Sequence, residues 1–333
     1  MATSGSYDYS LTAAQVIAAA YEDLGAIPAG GTVASADSTM ALTRLNLIVK
    51  QYQGKSDGAP GIKVHTRQRV TLFLAKGQQT YLVGPATSDA RAATSYGRTT
   101  LDAAEAAGQT VISVTATTDT TTESGTTITM NESDIIGIQT DDSGGDDIHW
   151  STITSVAAGD TVTIAVALPT ARPAASGNYA YWFTSRAQRF PVIESAVLRN
   201  SSRNDSELLI YRNSAEYDVG VVDKYADGTP NSILVEPLRM ATRVTLNSQP
   251  TDVTDQIVMT VLYPSEDYDA TNNDIAYPQE ALRFLAWELS FELAPSFGVP
   301  WTPTRDKNRN EARAMYLNLN PENSVLFFQP GEV

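Results

Sequence analysis

The chain has 333 residues, 38 acidic against 23 basic side chains, two histidines and no cysteine. The missing thiol excludes a disulfide scaffold, a thiolate nucleophile and a thiolate metal site. A formal charge of −15 opposes general binding to nucleic-acid phosphates, which needs a surplus of Lys and Arg. An apolar content of 42% is enough to bury a substantial core, and the length suggests about two domains. The opening MATSGSYDYS lacks the cationic stretch of a signal peptide, and no run reaches the 18 or so apolar residues of a membrane span.

The first element begins at Thr12, with Gln15 three residues on, the spacing of a capping box. Leu11 and Val16 stand where a hydrophobic staple would. Val16, Ile17, Ala20 and Leu24 recur at helical spacing, and Gly25 offers the left-handed stop. A second helix starts at Ser35, carries Leu42, Leu45, Val49 and Tyr52 on one face, and stops at Gly54. Over 62–83 the pattern turns to short β-forming runs, with Val70, Leu72 and Leu74 at period two and a Lys76-Gly77 turn before Tyr81 and Val83.

Residues 99–171 differ in kind. VISVTA, TTITM, IIGIQT, STITSV and TVTIAV are separated by turn signals, which argues a small antiparallel sandwich or barrel. This stretch holds eleven acids and no Lys or Arg, so it carries −11 of the −15 and leaves −4 for everything else. Strand-like segments then resume at 180–184, 192–198, 207–211, 232–237, 243–246 and 256–262. Pro278 opens a helix with Leu282, Leu285, Leu289 and Leu293; Gly298 and Pro300 break it, and Thr302-Pro303 starts another that ends before Pro321.

The fold class expected is α+β: an α-helical bundle from the two terminal segments, and an antiparallel β domain with an inserted Thr/Asp-rich β-sandwich or barrel. The boundaries are 1–60 with 275–320 for helices, 61–98 with 172–274 for the β domain, 99–171 for the insert and 321–333 for a tail.

Chemical motifs are sparse. Nucleophile-elbow, Walker, dinucleotide-binding and H-E-x-x-H patterns are all missing from the sequence. Asp141, Asp142, Asp146 and Asp147 surround Ser143-Gly144-Gly145, but without the alternating spacing and closing Glu of a Ca²⁺ loop; a solvated hairpin tip flanked by His149 on a strand is the plainer reading. His65 needs a nucleophile and an orienting acid beside it to act as a base. Arg305, Arg309 and Arg313 share one helix face, which either meets an acidic or phosphate-bearing partner or is a solvated face paired with Asp306 and Glu311. Val325, Leu326, Phe327 and Phe328 are four successive apolar residues after Pro321, each large one costing about 1.5 to 3 kcal/mol if left in water, which favours a docking segment. No cofactor or metal is expected.

The order of LTAAQVIAAAYEDLGAIPAG, TMALTRLNLIVKQY, VTLFLAKGQQTYLVGP, RFPVIESAVL, YADGTPNSILVEP, VMTVLYPSEDY and IAYPQEALRFLAWELSFELAPSFG resembles that of the head-to-tail adaptor proteins of short-tailed bacteriophages. The resemblance covers the chain outside the acidic insert. It implies a non-enzymatic virion protein of the neck, twelve copies forming a ring below the portal. That ring extends the DNA channel and attaches the tail nozzle and fibres, with DNA passing through without sequence-specific binding and no membrane involved. Carried over, the ring helices are 12–52 and 278–319, and the portal-binding tail is Val325, Leu326, Phe327 and Phe328. Two other readings stand beside it. One is a carbohydrate- or ligand-binding β module of a phage tail or fibre protein, motivated by Trp150, Tyr179, Tyr181 and Trp182; the other is a hydrolase with paired carboxylates.

Overall fold

The structure, a computed structural model, describes residues 9–53, 67–84, 91–122, 125–141, 147–211, 213–263, 266–277 and 279–318. In chain order the elements are α1 (Ala13–Leu24), α2 (Ser35–Gln53), β1 (Arg67–Phe73), β2 (Thr80–Val83), β3 (Ala92–Ala93), β4 (Gly97–Thr100), β5 (Val111–Ser113) and β6 (Thr118–Asp119). Next come β7 (Ile128–Thr129), β8 (Ile135–Thr140), β9 (Asp147–Ala157), β10 (Thr161–Ile164), β11 (Tyr179–Phe183), β12 (Val192–Arg199), β13 (Asp205–Glu207) and β14 (Leu209–Tyr211). The last are α3 (Ser214–Gly220), β15 (Ser232–Pro237), β16 (Thr242–Leu246), β17 (Gln256–Leu262), α4 (Gln279–Leu293) and α5 (Pro303–Asn318). The chain is therefore mixed α+β, and it divides into two compact units, Met1–Thr66 with Pro264–Val333, and Arg67–Tyr263.

The helical unit draws on both ends of the chain. Thr12 caps α1 by accepting the Gln15 backbone N–H, while the Gln15 side chain accepts the Thr12 N–H at 2.9 Å, and Gly25 ends the helix in the left-handed conformation. Two orphan donors at the helix start are thereby satisfied. The apolar faces of α1 (Val16, Ile17, Ala20, Leu24), α2 (Leu45, Ile48, Val49) and α4 (Leu282, Leu285, Leu289, Leu293) share one core, joined by Ala312 and Tyr316 of α5. The Ser290 hydroxyl links α4 to α1 by donating to the Ala20 carbonyl at 2.8 Å, and Asn46 of α2 exchanges hydrogen bonds with the backbone of Tyr268, in the segment before α4. Pro278 and Gly54 lie outside the described residues.

Among the described residues the β unit contains four sheets. Strands β13-β12-β17-β1-β3 form one and β14-β15-β16-β2 another, and Val70, Leu72, Ile257, Met259 and Val261 of the first share a core with Tyr81, Val83, Ile233, Val244 and Leu246 of the second. An antiparallel β domain was expected here, but β14 and β15 run parallel, Leu209 opposite Ser232. The run 207–211, read as one strand, is split at buried Leu208 between two sheets, because β13 pairs with β12 while β14 pairs with β15.

The third sheet, β4-β11-β8-β9-β10-β5, contains the acidic stretch but is wider than 99–171. Strand β11, assigned from sequence to the flanking β part, pairs with both β4 and β8. Its side chains alternate between two cores: Ala180 and Trp182 join Ile136, Ile138 and Val162, whereas Tyr181 and Phe183 join Phe73 and Val253. The fourth sheet is the β6-β7 pair.

Candidate functional site

A concave surface of the β unit lies where β14 forms the edge of its sheet. Asn213 caps α3, its side-chain oxygen accepting the Glu216 backbone N–H at 2.8 Å, so the chain turns back against β14 immediately. Tyr217 then anchors the helix: its hydroxyl donates to the Leu246 carbonyl at 2.6 Å, and its ring meets that of Tyr211 edge-on at 5.6 Å. Burial, reinforced by Asp218, holds the Tyr217 phenol above its ordinary pKa, so it stays a neutral donor. Gly220 is required by this close approach, because a Cβ there would stand 2.3 Å from the Tyr211 hydroxyl.

The result is a cleft of about 730 Å³ whose lining includes Leu209, Tyr211, Val221 and Val222 together with Glu207 and Asp223. Leu209 is 58% exposed and Val222 96%, and Val219 and Tyr225 on the same segment are also largely exposed. Strand β14 pairs on one side only among the described strands. An open strand edge beside apolar side chains suits a polypeptide segment better than a small polar substrate.

Arg305, Arg309 and Arg313 do share one face of α5, but that face turns toward its own unit. Arg309 donates to both carboxylate oxygens of Glu288, at 3.1 and 2.7 Å, and its guanidinium lies 3.7 Å over the Phe291 ring. Arg305 donates to the Leu24 carbonyl at the end of α1 and to the Pro300 carbonyl. Arg313 lies over the Tyr52 ring at 5.6 Å. All three are half-buried. The guanidiniums are engaged within the helical unit, neither forming a solvated stripe nor pairing with Asp306 and Glu311 as the spacing suggested.

Val325, Leu326, Phe327 and Phe328 lie outside the described residues, as do His65, Asp142 and Asp146. Asp147 pairs with Arg172 at 2.9 Å and Asp141 accepts from the Asn178 side chain at 2.9 Å. His149 sits in β9, with Nε2 3.0 Å from the Val166 carbonyl. Among the described residues no group of three or more His, Asp or Glu side chains could hold a metal. No helix among them is long and apolar enough to cross a membrane.

The aromatic residues that motivated a sugar-stacking surface do not form one. Tyr181 and Trp182 are fully buried, and Trp150 and Tyr179 are half-buried in a cluster around Phe73 whose ring centroids lie 5.1 to 5.9 Å from those of Trp150, Tyr181 and Phe183. The cleft beside β14 went unread in the sequence. Its signal was Asn213 followed by Tyr217 and Val221 at helical spacing, with Val219 and Val222 left on other faces of so short a turn. No protein-family model matches this chain, and a search of curated proteins returns no match.

Proposed function

We propose that this chain is the head-to-tail adaptor of a short-tailed bacteriophage, a structural subunit of the virion neck. Twelve copies form a ring below the portal, extend the DNA channel, and offer attachment for the tail nozzle and fibres. The order of sequence segments suggests the family. The structural observation that carries the reading is the exposed apolar rim of the β14 cleft, from Leu209 to Val222 and Tyr225. A protein working alone seldom leaves such a surface beside an open strand edge, whereas a ring subunit buries it against its neighbour.

In this reading the terminal helices are a bundle that forms the ring beneath the portal, the acidic sheet is an inserted module, and Val325 to Phe328 anchor the ring to the portal. The chain performs no chemistry: its work is to hold a channel open and transmit attachment. An acidic lining would serve that purpose, since like charge within a Debye length of about 8 Å keeps a passing duplex from adhering.

Electron microscopy of the full chain, alone and mixed with the portal rings of its own phage, tests the proposal. Twelve-fold rings stacked on the portal are expected. Neither free rings nor portal decoration at micromolar concentrations would overturn it.

A further inference from the structure

A ring needs a second surface to fill the β14 cleft, and the β unit carries one with complementary chemistry. The two charged side chains in the cleft's lining, Glu207 and Asp223, are both acidic and both exposed. Glu207 meets no cation among the described residues, and Asp223 accepts the Tyr225 backbone N–H at 3.1 Å. Lys224, next along the chain, pairs with Asp218 instead. With Leu209 and Val222 beside these acids, the cleft suits an occupant that is apolar at its tip and cationic next to it.

The other end of the same sheet has that composition. Strands β15 and β16 form a hairpin in which Leu238 donates its backbone N–H to the Ala241 carbonyl at 2.8 Å, leaving Arg239 and Met240 as the two-residue loop. Both are exposed, Met240 largely so. Arg239 has no carboxylate partner among the described residues, and the nearest acid in sequence, Glu236, pairs with Arg243 across the hairpin at 3.5 Å.

This loop is held in place from outside. Arg189 donates to the Leu238 carbonyl and brings a second positive charge to the tip. At the base of the hairpin the Thr242 hydroxyl donates to the Phe190 carbonyl at 2.6 Å and accepts the Phe190 backbone N–H at 3.1 Å. A braced turn loses little freedom on docking, and the unbranched Met240 thioether adapts to an apolar wall.

The length of β15 makes such a contact intermolecular. The cleft reaches Asn231 and Ser232 at the start of the strand, whereas the loop follows Pro237 at its end. At about 3.3 Å per residue those ends lie roughly 17 Å apart, so a chain cannot seat its own tip. A tip and a cleft at opposite ends of one strand make a heterologous contact, the kind that repeats head to tail and closes into a ring when the rotation between copies allows it.

We propose that the Arg239-Met240 loop of one copy seats in the β14 cleft of the next, Met240 against Leu209 and Val222, and Arg239 against Glu207 and Asp223. The inference rests on the adaptor reading for the ring itself and names the two surfaces that build it.

Two measurements on the full chain test it. In the first, electron microscopy with portal rings compares the parent, Arg239→Glu, and Arg239→Glu combined with Glu207→Lys and Asp223→Lys. Charge reversal at the tip alone should reduce ring formation by about ten-fold, and reversing the cleft in the same chain should restore most of it. All three positions are exposed, so circular dichroism and melting temperature should match the parent. In the second, a tip variant (Arg239→Glu with Met240→Asp) is mixed with a cleft variant (Leu209→Asp with Val222→Asp) and followed by sedimentation velocity. Each variant alone should stay monomeric, while the mixture should form a one-to-one dimer, because one intact tip then meets one intact cleft. A parent that forms no rings removes the adaptor reading, and the mixed dimer then decides the contact by itself. Parent rings that Arg239→Glu forms equally well, or a mixture that stays monomeric, would overturn the proposed contact.

Discussion

Arg309 grips Glu288 through two hydrogen bonds, 2.7 and 3.1 Å long, and the carboxylate side chain it holds is only 5% exposed. The pair joins α5 to α4, and the Phe291 ring covers the guanidinium at 3.7 Å. Removing one partner strands a buried charge, a loss of about 3 to 5 kcal/mol. Arg309→Ala is therefore expected to lower the stability of the helical unit by roughly 3 kcal/mol, measured by urea unfolding followed through tryptophan fluorescence. Replacing both residues by methionine should recover most of that loss. If Arg309→Ala unfolds at the parent's midpoint, the residue is not structural and an external partner for it has to be sought.

Much of this helical unit was legible because its signals are local. Thr12, Gln15 and Gly25 mark the ends of α1 through chemistry confined to one turn, and Leu282, Leu285, Leu289 and Leu293 show the buried face of α4 by spacing alone. The strand positions of β8, β15 and β17 were legible for the same reason, as runs of β-formers bounded by turn residues. The direction of the Arg305, Arg309 and Arg313 face was not, since spacing places residues on one side of a helix without saying what that side meets. Nor was the membership of β11: Ala180 and Trp182 alternate with Tyr181 and Phe183 between two cores, and a strand buried on both faces carries no polar side to tell which sheet claims it. The Leu209 cleft depends on a parallel pairing between segments separated by α3, which no local pattern reveals.

Gly97 marks a close approach within the six-stranded sheet. It pairs with Trp182 across β4 and β11, and a Cβ at this position would lie 2.2 Å from the indole ring. Trp182 is fully buried. Gly97→Ala should destabilise the β unit by about 3 kcal/mol, the upper part of the range for overpacking. Differential scanning calorimetry checks this. A melting temperature within 1 °C of the parent would show that the indole is free to shift.

Asp255 gives the β unit a pH dependence. Burial, with Asp252 adding its negative charge, pushes the Asp255 carboxyl up to about 6. The unfolded chain titrates near 3.9. Between those values the folded state holds the extra proton, so this residue's contribution to stability is greatest at low pH and declines as pH rises from about 4 to about 6. Asp255→Asn removes the ionisation. It should stabilise the unit at pH 7.5 by about 1 kcal/mol, allowing for solvent screening, with little change at pH 4. Unfolding curves at the two pH values separate the cases; an equal effect at both would mean that ionisation of Asp255 is not the cause.

Leu209 and Val222 give the assembly proposal its most direct mutational test. They are 58% and 96% exposed on the rim of one cleft, so converting both to aspartate disturbs no buried packing and leaves the fold of the isolated chain intact. In a ring the same change places two charges in an apolar contact without partners, at a cost of several kcal/mol for each interface. Leu209→Asp with Val222→Asp should therefore retain the parent's circular dichroism and melting temperature as a monomer while abolishing ring formation on the portal by electron microscopy. A serine pair at the same positions, which removes apolar area without adding charge, should weaken assembly by a smaller factor. Rings that form normally from the aspartate pair would place the subunit contact elsewhere and remove the observation on which the adaptor reading rests.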